Sequence, residues 1–231
     1  MTCSMKPTGD SRNGDLEGVL VAAAGELGLT LAEGELARFA IYKQELITWN
    51  RIIGLVAVKS PLDLPIKHFI DSLTALPLLP REGGRLLDIG TGAGFPGLPL
   101  KIIRTDLDLH LLEASRKKVS FLKELLRKLS LPGVTIIHER VEQVMKKAHL
   151  RASFDCVISR AAFKTPELLK IGLHFLRPGG LLLAMRGPRE AGASLNYGHL
   201  FDIKGIIIDK IVDFRLPLAG VSRKIILYKK L

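Results

Sequence analysis

"LLDIGTGAGFPGLPL", residues 86–100, sets four glycines and two prolines directly behind an apolar run. A tight turn explains one or two glycines. Four at this spacing indicate that a ligand approaches the backbone closely, since glycine carries no Cβ and reaches positive φ without a clash. "RLLDIG" reads as a short buried strand ending in glycine, and the residues after the loop open a helix. The loop parses in two ways. Asp88-x-Gly90-x-Gly92-x-Gly94 is an acidic residue followed by three alternating glycines. Gly92-x-Gly94-x-x-Gly97 fits the dinucleotide fingerprint.

Working outward, "DLHLLEA" follows some twenty residues later as a second strand. "SRKKVSFLKELLRKLSLPG" is a helix with Ser115 as its N-cap, an apolar stripe of Val119, Leu122, Leu126 and Leu129, and Pro132-Gly133 as its stop. "VTIIHE", "FDCVIS" and "GGLLLAMRG" are further strands. Strands alternating with helices give an α/β fold, a doubly wound parallel sheet covered on both faces. "GIIIDKIVDFRLP" and "SRKIILYKK" have no helical stretch between them, so they close the sheet as an antiparallel pair. Upstream, residues 1–15 read as a disordered tail. Residues 16–80 read as a helical extension, with Leu36, Phe39, Ala40, Leu46 and Ile47 at helical spacing and Pro61, Pro65, Pro77 and Pro80 as breaks. Residues 81–231 form the ligand-binding domain.

Glu113 lies 25 positions after Asp88, at the tip of the second strand, where a carboxylate binds ribose hydroxyls. That serves NAD and S-adenosylmethionine alike. Two features favour S-adenosylmethionine. A dinucleotide fingerprint normally opens its domain, whereas about 85 residues precede this one. Asp88, just before the first glycine, would repel a pyrophosphate and suits a cationic amino-acid ligand.

Composition sets the outer limits. Hydrophobic residues make up 47% of 231, which suits a sizeable core. No apolar run is long enough to cross a bilayer, and the polar N-terminus lacks the apolar centre of a signal peptide. Two cysteines, Cys3 and Cys156, allow neither a disulfide framework nor a zinc site. A cytoplasmic protein without metal is expected. The net charge of +11 favours a polyanionic partner such as RNA.

In this order, "LLDIGTGAGFPGLPLKI", "LLEASRKKVSFL", "RVE" and "VISRA" resemble ribosomal small-subunit methyltransferase G, also called glucose-inhibited division protein B. "TWNRIIGL" and "HFIDSL" upstream fit as well, and the likeness runs from about residue 35 to the C-terminus. The resemblance implies a Rossmann-like class I methyltransferase with a mostly parallel seven-stranded sheet and an antiparallel C-terminal strand. It implies transfer of methyl from S-adenosylmethionine to N7 of a guanine in 16S ribosomal RNA, guanine-527 in the 530 loop. The substrate is then 16S ribosomal RNA or a small-subunit assembly particle, and the protein a monomer. Where the family has asparagine-leucine-threonine after its tryptophan-asparagine pair, this chain has Gly54, Leu55 and Val56.

The cofactor set comprises Asp88, Gly90, Gly92, Gly94, Phe95, Glu113, Val141, Glu142 and Arg160. The resemblance places Gly90 and Phe95 against the cofactor, Val141 and Glu142 at its adenine, and Arg160 in the same site. From the residues alone, Phe95 also reads as core, Glu142 as a solvated helix start and Arg160 as a surface salt bridge. His68, Asp71 and Ser72 look like a nucleophilic constellation. However, His68 and Asp71 share one helical turn and no G-x-S-x-G elbow occurs, so local pairing or RNA contact is the better reading. Arg116, Lys117, Lys118, Lys123, Arg127 and Lys128 crowd one helix as an RNA-facing or merely solvated surface. Arg186 and Arg223, Lys224, Lys229 and Lys230 extend it. No catalytic acid or base is expected, because guanine N7 offers a lone pair without losing a proton. The alternatives are a nicotinamide-dependent oxidoreductase and a non-catalytic RNA-binding module.

Overall fold

In the computed structural model, residues 14–160, 162–187 and 204–231 are described. Seven strands form one sheet: β1 (Gly84–Ile89), β2 (Leu107–Leu112), β3 (Val134–Ile137), β4 (Phe154–Arg160), β5 (Leu176–Arg186), β6 (Ile206–Arg215) and β7 (Ser222–Lys230). Their order is β3-β2-β1-β4-β5-β7-β6. β7 runs antiparallel to both β5 and β6, and the pairs from β3 to β5 are parallel. The antiparallel closing pair expected from the sequence is therefore present.

Side chains alternate between the two faces of the sheet even where the strands read as unbroken apolar runs. Leu86 and Ile158 belong to one buried cluster, Leu87, Ile89 and Val157 to the other. This is the pattern of strands buried on both sides. One face carries the helices α1 (Gly14–Glu26), α2 (Glu33–Ile53), α4 (Gly97–Ile103) and α5 (Arg116–Leu129). The other carries α6 (Val141–Val144) and α7 (Thr165–Phe175). Between α2 and β1 a π-helical turn, Pro65–Ile70, runs straight into α3 (Asp71–Leu73). Proline at the start of that turn loses no hydrogen bond, because the first N–H groups of a helix have no partner.

The expected tail lies outside the described residues up to position 13, and Gly14 and Asp15 already belong to α1. Leu16 and Leu20 of α1 and Phe39, Tyr42 and Leu46 of α2 share one cluster with Leu86 and Leu109 of the sheet. α5 differs from expectation in detail. Its buried stripe runs through Val119, Phe121, Leu122, Leu125 and Leu129, and Leu126 is only partly buried. The helix stops at Ser130, which adopts a left-handed conformation (φ +49) two residues before Pro132. Ser115 occupies the N-cap position without a side-chain capping bond.

The departure at residues 54–56 has a structural account. Gly54 ends α2 at φ +61, a left-handed cap that glycine adopts freely and asparagine tolerates. The Val56 N–H donates to Asn50 Oδ1 at 2.8 Å, so Asn50 closes the turn itself. Among the described residues no helix is long and apolar enough to cross a membrane, and no group of three or more His, Cys, Asp or Glu is placed to hold a metal ion.

Candidate functional site

The carboxyl end of β1 delivers the chain into the glycine loop. Gly90, Gly92 and Gly94 all have positive φ (+68, +62 and +94). Two of these positions also lack room for a side chain. A Cβ on Gly90 would lie 2.6 Å from the Ala162 Cβ, and one on Gly94 would lie 2.6 Å from the Tyr42 hydroxyl. Gly97 opens α4 against Asp88, where a Cβ would sit 2.8 Å from Oδ2.

Asp88 is fully buried beneath the loop. Its Oδ2 accepts from the Thr91 hydroxyl at 2.7 Å and the Gly97 N–H at 2.8 Å. Its Oδ1 is buried with no hydrogen-bond partner among the described residues. Burial raises the carboxyl to about 6, against the opposing pull of those two donors and of Arg160. A buried carboxylate with one unused oxygen fits a cationic ligand group and disfavours a pyrophosphate. Glu113, also buried, spans the loop and the next helix. Its Oε2 accepts from the Gly92 N–H at 2.9 Å and its Oε1 from the Ser115 N–H at 2.8 Å. The backbone N–H of Ser115, the N-cap residue of α5, is thereby satisfied by the Glu113 carboxylate.

A cavity of about 370 Å³ opens beside these groups, lined among others by Gly90, Glu113, Lys118, Val141, Arg160 and Phe163. Four of the nine expected cofactor residues thus reach its wall: Gly90, Glu113, Val141 and Arg160. Asp88, Gly92 and Gly94 shape the loop behind it. Phe95 does not line it. That ring is buried, stacked on Tyr42 at 5.3 Å with the planes 7° apart, and the Arg160 guanidinium lies 5.0 Å above its centroid. Phe95 is therefore the floor on which Arg160 rests. Glu142 is exposed on the first turn of α6, outside the lining.

Arg160 is also the wall of a second cavity, of about 280 Å³, which includes Lys67, His68, Asp71, Arg186 and Arg223. The guanidinium is held on three sides. Nη1 donates to the Lys67 carbonyl and to Asp71 Oδ2, both at 3.2 Å, and Nη2 lies 3.1 Å from His68 Nδ1. A guanidinium only donates, so Nδ1 accepts and carries no proton. Burial and the nearby Arg160 charge lower His68 to about 4, leaving it neutral at physiological pH. Asp71 is buried and clasps two arginines, accepting from Arg223 Nε on Oδ1 at 2.8 Å as well.

The constellation of His68, Asp71 and Ser72 is not a nucleophile with its base. Ser72 is fully buried and its hydroxyl donates to the His68 carbonyl at 2.6 Å. That placement also removes it from an RNA-facing surface. Arg186 is likewise buried, donating to the Phe163 carbonyl at 2.9 Å and to Thr165 Oγ1 at 3.1 Å, so it clasps the chain beyond β4. On α5 the basic residues divide. Lys118 faces the larger cavity, Arg127 pairs with Glu124, and Lys128 pairs with Glu45 of α2. Arg116, Lys117 and Lys123 are exposed.

One residue escaped the sequence reading. Tyr42, in the buried stripe of α2, donates its hydroxyl to the Ala93 carbonyl inside the glycine loop. Burial holds its pKa well above the usual phenol value. The sequence signal was a tyrosine at a core position, where a buried hydroxyl must find a partner.

Residues 35–213 match the family model described as rRNA small subunit methyltransferase G. A ribosomal RNA small subunit methyltransferase G from Syntrophus aciditrophicus is 44% identical over 209 residues, covering 90% of this chain and 87% of that protein. Among solved structures, a SAM-dependent methyltransferase from Aquifex aeolicus superposes with a TM-score of 0.57 at 19% identity, covering 74% of this chain and 94% of the other. TYW2 from M. jannaschii in complex with AdoMet gives 0.51 at 16%, covering 70% and 74%.

Proposed function

The chain belongs to the rRNA small subunit methyltransferase G family, and from that premise we propose that the two cavities meeting at Arg160 bring S-adenosylmethionine and a guanine of 16S ribosomal RNA together for methylation at N7. The protein is an S-adenosylmethionine-dependent methyltransferase. The observation that carries the finer reading is the shared wall: one arginine lines both the cavity at the glycine loop and the cavity beside it. We assign the 530 loop, at guanine-527, as the target, in 16S RNA or a small-subunit assembly particle. We take the protein to act as a monomer in the cytoplasm.

S-adenosylmethionine supplies an electrophilic methyl on a sulfonium, and guanine N7 accepts it with a lone pair that needs no deprotonation. The side chains agree with a reaction that requires no base. His68 is neutral with Nδ1 engaged by Arg160, and Asp71 is spent on two arginines. What the chain provides is placement. Glu113 fixes the loop through the Gly92 N–H and offers its carboxylate to ribose hydroxyls. Asp88 offers a buried negative charge to the cationic amino-acid end. Tyr42 and Phe95 support Arg160 from below. Holding two reactants in line converts a bimolecular encounter into an oriented one, the main source of rate here.

A pH profile tests the role of Asp88. With its carboxyl near 6 in the free protein, a ligand that prefers the ionised form binds fully above that value. S-adenosylhomocysteine affinity should be flat from pH 7 to 8 and fall below pH 6, by up to about tenfold per unit. Asp88→Asn should bind weakly at every pH and lose the dependence. Calorimetry between pH 5 and 8 reads both. A flat wild-type profile would remove Asp88 from the site.

The RNA surface is tested by salt. Replacing the exposed Arg116, Lys117 and Lys123 by glutamine should lower the slope of log affinity against log salt by about one unit per lost phosphate contact, slightly less on single strands. Cofactor affinity should be unchanged, because Lys118 and Glu113 are untouched. Equal slopes in variant and wild type would mean that this face of α5 is only solvated.

A further inference from the structure

The π-helical turn Pro65–Ile70 and the first residue of α3 present three acceptors to one guanidinium. The Lys67 carbonyl, His68 Nδ1 and Asp71 Oδ2 all meet Arg160. In a regular α-helix the Asp71 N–H would bond to the Lys67 carbonyl, four residues back. Here it bonds to the Ile66 and His68 carbonyls, and the Lys67 carbonyl accepts from Arg160. Wide turns of this kind recur where a helix serves a site. We propose that His68 is a positioning residue for methyl transfer, its unprotonated Nδ1 holding the Arg160 guanidinium in the one orientation that serves both cavities. The proposal rests on the methyltransferase reading above and gives it a residue that acts through Arg160 without itself exchanging a proton.

Three observations support it. First, the donors of Arg160: the Lys67 carbonyl and Asp71 both bind Nη1, and His68 binds Nη2. Phe95 beneath the guanidinium limits its tilt. What remains is rotation in the guanidinium plane about Nη1, and the bond at Nη2 blocks it. Nε–H and the second hydrogen on Nη2 make no bond among the described residues, so they are the donors left for a ligand, and their direction depends on that rotation. Second, the imidazole is itself fixed. It lies 5.1 Å from the Phe95 ring and has a hydrogen bond to the Ala57 backbone. With Nδ1 accepting, the ring proton sits on Nε2. The loop after α2, whose Val56 N–H donates to Asn50, is thereby tied to Arg160 through one ring. Third, the acceptor is uncharged. Asp71 already answers both Arg160 and Arg223. A second carboxylate here would cancel positive charge on a wall that also carries Lys67 and Lys224, whereas an imidazole holds the guanidinium and leaves that charge to attract an anionic substrate.

The test compares His68→Asn with His68→Gln. Overlaid on histidine, the Asn side-chain oxygen falls near the place of Nδ1, whereas the Gln amide reaches the place of Nε2. Both variants lose the ring and its contact with Phe95, so a purely structural role predicts equal losses. Single-turnover methylation is measured at saturating S-adenosylmethionine, on 16S RNA or small-subunit particles, whichever the wild type modifies. His68→Asn should react about fivefold or more faster than His68→Gln, since a small misplacement of a positioning group is costly in rate. The NMR order parameter of the Arg160 Nε–H should stay near the wild-type value in the Asn variant and fall in the Gln variant. A third measurement needs no substitution, and so holds should either variant unfold: imidazole nitrogen shifts of the wild type at neutral pH should show the proton of His68 on Nε2 and none on Nδ1. The proposal is overturned if the two variants react at equal rates, if the Gln variant is the faster, if Arg160 is equally ordered in both, or if Nδ1 carries the proton. Failure of the wild type to methylate either substrate would instead count against the methyltransferase reading itself, and the two NMR measurements would still decide how Arg160 is held.

Discussion

Gly90→Val should abolish cofactor binding, lowering S-adenosylhomocysteine affinity at least a hundredfold. Gly90 lines the larger cavity, and its Cβ would fall 2.6 Å from that of Ala162 on the opposite wall. A valine must push the wall outward or fill the space where the cofactor lies. It also carries a backbone penalty of about 1–2 kcal/mol, because φ is +68 and β-branched residues avoid that region. Gly179→Val separates the two effects. Gly179 has a similar φ of +76, but no atom lies within 4 Å of its Cβ position. It should lose comparable stability and keep its cofactor affinity. Calorimetry alongside thermal unfolding checks both variants. If Gly90→Val binds normally, the cavity beside the glycine loop is not the cofactor site.

Asp71→Ala should have the largest effect on stability. Its carboxylate is buried between Arg160, 89 positions away in the chain, and Arg223, 152 away. Removing one member of a buried ion pair leaves the others without their counter-charge, at a cost of about 3 kcal/mol. For a chain of this size that is roughly 6–12 °C in melting temperature. Both arginines keep some access to water, at 19% and 14% side-chain exposure, which places the expectation at the lower end of the range for buried pairs. Urea titration should show a lower midpoint with an unchanged slope. A midpoint equal to wild type would mean that the clasp contributes nothing. Folded Asp71→Ala protein should also lose activity, because Arg160 and Arg223 then repel each other across the shared wall.

These two residues mark how far a single chain could be read. The glycine loop, Asp88 and Glu113 were legible because strand, turn and helix succeed one another locally, and such a succession fixes where a strand's carboxyl end must lie. The strands were legible as apolar runs, and their alternation between two clusters appeared only with the fold, since a sheet covered on both faces leaves no polar face to betray it. The Asp71 clasp was not legible. Its partners lie on β4 and β7, and nothing in local spacing announces a contact across so much chain. Lys118 belonged by composition to a basic patch. Only the docking of α5 on the sheet turns it toward the cavity beside the glycine loop, away from Arg116 and Lys117. Ser115 shows the opposite failure. It occupies the expected N-cap position, but its hydroxyl makes no capping bond, and its backbone N–H donates to Glu113. Tyr42 was missed altogether: it stands three residues after Phe39 on α2, and only the packed loop shows which carbonyl its hydroxyl takes.

The most direct test of the whole account is methyl transfer by the purified protein. Labelled S-adenosylmethionine would be supplied with 16S RNA and, separately, with small-subunit particles from a strain lacking the enzyme, and the digested RNA mapped by mass spectrometry. The account predicts a single new 7-methylguanosine, in the 530-loop fragment, absent when Gly90→Val protein is used. A methyl group on another atom or another RNA, or none with either substrate, would contradict it.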